Sequence, residues 1–183
     1  MNRTAPLRLL TLFSLGLAAL LFSASTLAQS KSAGEHVDDS WIHTKVKSTL
    51  STKGGAGINV EVHKGEVQLA GFVRDEDLTK SLPDEASRIA GVTKVYNQII
   101  FVEPGRSAGR RLDDSVLAGK VEAAMAGEDF GQSLSVNTEV DRGVVLLSGF
   151  LDSEEERDAV VETVRRVEGV ERVINGINIK IDA

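Results

Sequence analysis

The chain has no cysteine. That excludes disulfides, thiolate zinc sites, thiol nucleophiles and a lipid-modified N-terminal cysteine. Aromatic residues make up only 4%, so any core must be built from Val, Ile, Leu and Ala. There are 3 histidines, His36, His43 and His63. No zinc-type spacing relates them, and no metal is expected. No basic tract is present, and the formal net charge is −6; nucleic acid is therefore not an expected partner. The glycine run Gly54-Gly55-Ala56-Gly57 lacks the Lys-Ser/Thr of a phosphate loop. Asp75-Glu76-Asp77 and Glu154-Glu155-Glu156 fall at expected helix starts, where carboxylates complement the helix dipole, a better account than calcium. With no nucleophile–base arrangement either, the sequence predicts no enzyme, no catalytic residue and no cofactor.

What the chain does contain is an internal duplication with a period of 78 residues. Gly65-Glu66-Val67-Gln68-Leu69-Ala70-Gly71-Phe72 matches Gly143-Val144-Val145-Leu146-Leu147-Ser148-Gly149-Phe150. Further on, Gly91-Val92 matches Gly169-Val170, Val95 matches Val173, Asn97 matches Asn175 and Ile99 matches Ile177.

The N-terminus reads as an export signal. Arg3 and Arg8 precede an uncharged apolar run from Leu9 to Phe22, followed by small residues at Thr26 and Ala28. The run is shorter than the roughly 20 residues a spanning helix needs. Residues 1–28 are expected to be a signal peptide cleaved after Ala28, placing the protein in the periplasm. Loss of the two arginines takes the net charge to −8.

Residues 29–37 are polar and small, a flexible segment ahead of the first repeat, 38–102. Asp38-Asp39-Ser40 supplies a helix cap, and Ile42, Val46 and Leu50 recur on one helical face. Ile58, Val60 and Val62 alternate with polar residues up to a Lys64-Gly65 turn, and Val67 and Leu69 return, which marks a hairpin. A second helix carries Leu82, Ala86 and Ile89, and a strand closes the repeat at Lys94–Phe101. Pro83 suggests that this helix restarts at the proline and is shorter or kinked. Residues 103–112 read as a linker.

The second repeat, 113–181, opens on Asp113-Asp114-Ser115 with Leu117, Val121 and Met125 on the apolar face. Its loop around Gly127–Gln132 is three residues longer than the first copy's. A hairpin turns at Arg142-Gly143. A helix capped by Ser153 and Glu156 carries Val160, Val164 and Val167, and Arg172–Ile181 closes the repeat. The motif glycines Gly65, Gly71, Gly91, Gly143, Gly149 and Gly169 are expected to be structural. Gly71 and Gly149 mark a bend or a close approach by the helix, and Gly169 the C′ stop of its helix.

Each repeat is therefore predicted to be α+β, helix-strand-strand-helix-strand, with two helices on one face of a three-stranded mixed sheet. These motifs are those of a known family: "D-S-x-[IL]-x-x-K-V" with Lys45 and Lys120, then "G-x-V-x-L-x-G-F", then "G-V-x-x-V-x-N-x-I". Each repeat resembles a BON domain. The resemblance implies a bacterial envelope protein tied to osmotic or other stress, associated with phospholipid membranes and without catalytic residues.

The single tryptophan, Trp41, lies beside the buried stripe of the first helix, on the same helix as His43, Lys45 and Lys47. A Trp flanked by Lys on an amphipathic helix suits a membrane interface. Trp41, Lys45 and Lys47 are thus the candidate contact with an anionic phospholipid surface. The alternative is that the ring widens the core stripe or packs on the other repeat. A second expected function class is a chaperone or interaction module for envelope proteins, using exposed sheet edges or a groove between repeats.

Overall fold

The computed structural model of the chain describes residues 38–105, 108–127, 130 and 135–180. Residues 1–28, expected to be a signal peptide, the 29–37 segment and most of the 127–132 loop lie outside the described residues.

In the first repeat, α1 (Asp39–Thr52) is followed by β1 (Asn59–His63), β2 (Glu66–Val73), α2 (Leu78–Ser87) and β3 (Lys94–Phe101). The second repeats the order with α3 (Ala108–Ala126), β4 (Val136–Asp141), β5 (Val144–Leu151), α4 (Glu154–Arg165) and β6 (Arg172–Ile179). The sheets run β1-β2-β3 and β4-β5-β6, each with one antiparallel and one parallel pair. The register repeats too: Leu69 faces Asn97 as Leu147 faces Asn175. The predicted architecture is therefore the observed one.

Period-two alternation sends Val60, Val67, Leu69 and Ile99 to one face of the first sheet, where they meet Ile42, Val46, Leu50, Leu82 and Ala86 from the helices. The second core is built alike from Val145, Leu147, Val160, Val164, Leu117 and Val121. No described helix is long and apolar enough to cross a membrane.

Four local expectations are corrected. First, α3 begins at Ala108, within the stretch read as linker, so Asp113-Asp114-Ser115 lies inside a helix instead of capping one. The Asp serves the hairpin. Asp39 accepts the turn N–H groups of Lys64 and Gly65 at 2.6 and 2.8 Å, and Asp114 accepts that of Gly143 at 3.3 Å. Both turns have positive φ at both central residues (Lys64 49°, Gly65 78°; Arg142 52°, Gly143 74°). That is the type I′ geometry that suits tight hairpins, and a carboxylate satisfies its outward amides.

Second, α2 does not restart at Pro83 but runs through it. The proline leaves the carbonyl four residues back without an N–H. Asn97 supplies the missing donor, its Nδ2 lying 2.9 Å from the Thr79 oxygen. The helix is shorter, as expected, with 10 residues against 12 in α4.

Third, α4 ends at Arg165 with Arg166 as cap. Gly169 is not its C′ residue but sits in the next turn, where Val170 N–H bonds Val167 O at 3.1 Å. Fourth, the close approach at Gly71 and Gly149 comes from the chain leading into β1 and β4, not from a helix.

Candidate functional site

The first candidate surface is the tip of α1. Ile42, Val46 and Leu50 hold this helix on its sheet with no exposure, and this leaves Trp41 44% exposed. Lys45 Nζ lies 5.9 Å from the centre of the Trp41 ring, within cation–π range. Lys47 points elsewhere: its ammonium donates to the Ile58 carbonyl at 2.6 Å. The structure thus brings Trp41 and Lys45 together and sets Lys47 apart. His43 is exposed on the same helix, while His63 stacks on Phe150 of the other repeat at 5.7 Å.

The second feature, which sequence reasoning missed, is a polar seam where the free faces of the two sheets meet. Asn59 Nδ2 donates to Glu139 at 2.8 Å, and Asn137 Nδ2 donates to Glu61 at 2.8 Å. Each residue is the counterpart of the other pair's equivalent member, so the contact is isologous and a near-twofold axis relates the repeats. β1 and β4 cross this axis in opposite directions. The Lys64-Gly65 and Arg142-Gly143 turns therefore lie at opposite ends of the molecule.

The symmetry is broken at three places. Gln68 stands where the second repeat has Leu146. Its amide donates to the Gly176 carbonyl and accepts the Gly149 N–H. Gln98 fills the space left by the missing side chain of Gly176. Arg74 reaches across to Asp141, which Arg142 also holds at 3.0 Å. Both arginines additionally donate to the Glu103 carbonyl, at 3.3 and 3.4 Å, pinning the connection between repeats.

Two seam carboxylates titrate in opposite senses. At Asp141 burial pushes the pKa up, but the Arg74 and Arg142 guanidiniums together outweigh it and hold the carboxyl below its usual value. At Glu139 burial dominates and raises the pKa, with Lys47 and the Asn59 hydrogen bond offsetting it only in part. A lowered folded pKa means stability that is present above the ordinary Asp range and lost as pH falls through the folded value. A raised one means stability present in acid and lost as pH rises through the folded value. Glu139→Gln, which keeps an acceptor for Asn59, is expected to raise the urea midpoint at pH 7, with the gain vanishing near pH 4. Asp141→Asn is expected to lower it at pH 7 and to converge with the parent only in stronger acid. Urea melts across pH check both; parallel curves at all pH values would refute them.

The third motif residue with a role is the strand asparagine. Asn97 Oδ1 accepts the Ile99 N–H at 3.0 Å, and Asn175 Oδ1 the Ile177 N–H at 3.0 Å. Among the described residues no strand pairs with the outer edges of β3 and β6. The side chain covers an outward amide at the middle of each edge, which blunts strand addition there.

Both copies match one family model, the BON domain, over residues 38–103 and 113–181. The chain belongs to the BON domain family. It is 32% identical over 152 residues to the 21 kDa hemolysin of Actinobacillus pleuropneumoniae, covering 81% of this chain and 77% of that protein. It is 28% identical over 151 residues to the osmotically-inducible protein Y of Escherichia coli, covering 80% and 75%. It is 24% identical over 173 residues to the outer membrane lipoprotein DolP of Haemophilus influenzae, covering 90% and 89%. All three alignments span most of the tandem, so the relatives match a pair of BON repeats and not one alone.

Proposed function

We propose that this tandem BON protein is a non-catalytic protein of the bacterial envelope, exported to the periplasm, that attaches to anionic phospholipid surfaces through the tip of α1. The charge–apolar–small pattern of residues 1–28 supports export. The names of two relatives, one osmotically inducible and one an outer membrane lipoprotein, support an envelope-stress setting.

The observation that carries the lipid assignment is Trp41. Neither core uses the ring, which stands half in solvent with a lysine ammonium at its face. An indole at headgroup depth with an adjacent cation is a membrane-interface pairing. A chaperone acting between the repeats has less support, because the sheet faces fill that space and Asn97 and Asn175 occupy the central edge amides.

Attachment is expected to be weak and local, since each basic residue near an anionic surface contributes about 1 kcal/mol and the chain is acidic. In vesicle flotation, Trp41→Ala and Lys45→Glu should each lower binding to phosphatidylglycerol-containing vesicles about tenfold. The thermal midpoint should stay near that of the parent. Parent indole emission should move to shorter wavelength on such vesicles and not on neutral ones. Emission indifferent to anionic vesicles would overturn the assignment.

A further inference from the structure

The turn ends of the two repeats are built from equivalent positions that carry different residues. In the second repeat a cavity of about 610 Å³ is lined by Val116, Lys120, Arg142, Gly143, Glu168 and Glu171, among others. Their counterparts in the first repeat are Trp41, Lys45, Lys64, Gly65, Ala90 and Thr93. Direct contacts in the first repeat agree with this correspondence. Asp39 grips the Lys64-Gly65 turn, Thr93 N–H bonds Gly65 O at 2.9 Å, and a Cβ on Gly65 would stand 3.3 Å from the Thr93 methyl. By this correspondence Trp41, Lys45 and Lys64 belong to one turn end, with Lys45 5.9 Å from the indole, and neutral Ala90 and Thr93 take the positions that Glu168 and Glu171 hold in the second repeat.

The differences all run in one direction. Val116, 62% exposed, replaces the indole. Glu168 replaces Ala90 and approaches Lys120 to 3.9 Å, so the lysine that matches Lys45 meets a carboxylate. Glu171 replaces Thr93 and packs against Gly143. Arg142, the match of Lys64, is turned toward Asp141 and the Glu103 carbonyl. The first turn end thus presents an aromatic and two lysines that pair with no carboxylate among the described residues, whereas the second presents two extra carboxylates.

We propose that these rim residues decide which repeat touches lipid. The anionic bilayer is bound by the whole turn end of the first repeat, Lys64 included, while the carboxylates of Glu168 and Glu171 repel it at the equivalent place on the second. Since the near-twofold axis puts the two ends on opposite sides of the molecule, docking is one-sided and the second repeat faces away from the bilayer. This inference rests on the lipid-contact function proposed above.

The test transplants the rim in both directions in the full mature chain, using vesicles of phosphatidylglycerol and phosphatidylcholine. Ala90→Glu with Thr93→Glu leaves Trp41 and Lys45 untouched and changes two exposed positions. It should reduce vesicle binding about tenfold or more and abolish the emission shift, and Lys64→Glu should reduce binding severalfold. The reverse set, Val116→Trp with Glu168→Ala and Glu171→Thr, should create a second contact at the far end. Vesicles would then be cross-linked and turbidity would rise, which the parent should not cause. Circular dichroism melts confirm that each variant folds.

If the parent binds vesicles and Trp41→Ala lowers binding as expected, yet Ala90→Glu/Thr93→Glu binds as the parent does, the rim inference is overturned and the α1 contact stands. If the folded reverse set fails to cross-link vesicles, one-sided control by Glu168 and Glu171 is likewise overturned. A parent that ignores anionic vesicles refutes the α1 contact itself.

Discussion

Gly149→Ala is expected to unfold the second repeat, while Gly71→Ala weakens the first and leaves it folded. The two glycines are equivalent in sequence, and both hold φ in the range that disfavours a side chain, +138° and +149°. That conformation alone costs a non-glycine residue on the order of 1–3 kcal/mol. The surroundings separate them. A Cβ at Gly149 would stand 2.0 Å from the Ser135 carbonyl oxygen and 3.1 Å from its carbon, and backbone atoms must move to admit it. At Gly71 the nearest atoms are the tip of Ile58 at 3.0 Å and the Gly57 carbonyl at 3.3 Å, and the tip can turn aside. Gly149 also donates its N–H to Gln68, so displacing this corner disturbs the seam as well. Losses of about 4 kcal/mol or more at Gly149 and about 2 kcal/mol at Gly71 follow. Urea unfolding of both variants, with amide spectra to assign which repeat is lost, checks the contrast. Equal losses would show that backbone conformation alone governs both sites.

The elements of each repeat were legible because each has one wet and one dry face. Ile42, Val46 and Leu50 are spaced for a helix, and Val60, Val67 and Leu69 for strands, and those are the residues the core uses. The seam was harder to read because its residues are polar. Asn59, Glu61 and His63 alternate with core valines as solvent-facing residues do, and nothing local distinguishes an Asn that meets a Glu 80 residues away. One signal was available. β5 reads Val-Val-Leu-Leu-Ser-Gly-Phe-Leu, apolar on both faces apart from Ser148, as a strand buried on both sides does. Leu146 and Phe150 fall on the face away from the helices, and both are buried.

The candidate lipid contact was legible in part for a related reason. Trp41 is conspicuous in a chain with 1 Trp, and its position off the apolar stripe follows from helical periodicity. Lys47 could not be separated from Lys45 by spacing, because its direction is set by the Ile58 carbonyl of the following loop. Nor does periodicity bring the Lys64-Gly65 turn to the start of α1. That follows from Asp39 holding the hairpin turn, a long-range contact that the Asp-Ser motif encodes but whose partner it does not name.

Gln68→Leu should destabilise the protein by about 2–3 kcal/mol although it matches the side chain in volume and copies the residue at the equivalent position of the other repeat. Gln68 is 1% exposed. Its amide joins two strands of the second repeat, taking the Gly149 N–H on β5 and giving a hydrogen to the Gly176 carbonyl on β6. Leucine leaves both backbone groups dry and unpaired, at about 1–3 kcal/mol each. Its better transfer from water offsets about 1–2 kcal/mol of that. Gln68→Glu should be worse at neutral pH. It retains an acceptor for Gly149 but sets a buried carboxylate against the Gly176 carbonyl, where a donor is required. Protonation restores an O–H donor, so the folded pKa of that carboxyl must be raised. Its stability is then present in acid and lost as pH rises through the folded value. Urea midpoints at pH 7 and pH 5 should rank parent, Gln68→Leu and Gln68→Glu in that order at pH 7, with the last two drawing together at pH 5. Because the bonds cross the seam, X-ray scattering should show Gln68→Glu more extended than the parent at pH 7, with the repeats parted. A Gln68→Leu variant as stable as the parent would mean that apolar packing, not this pair of hydrogen bonds, holds the two repeats together.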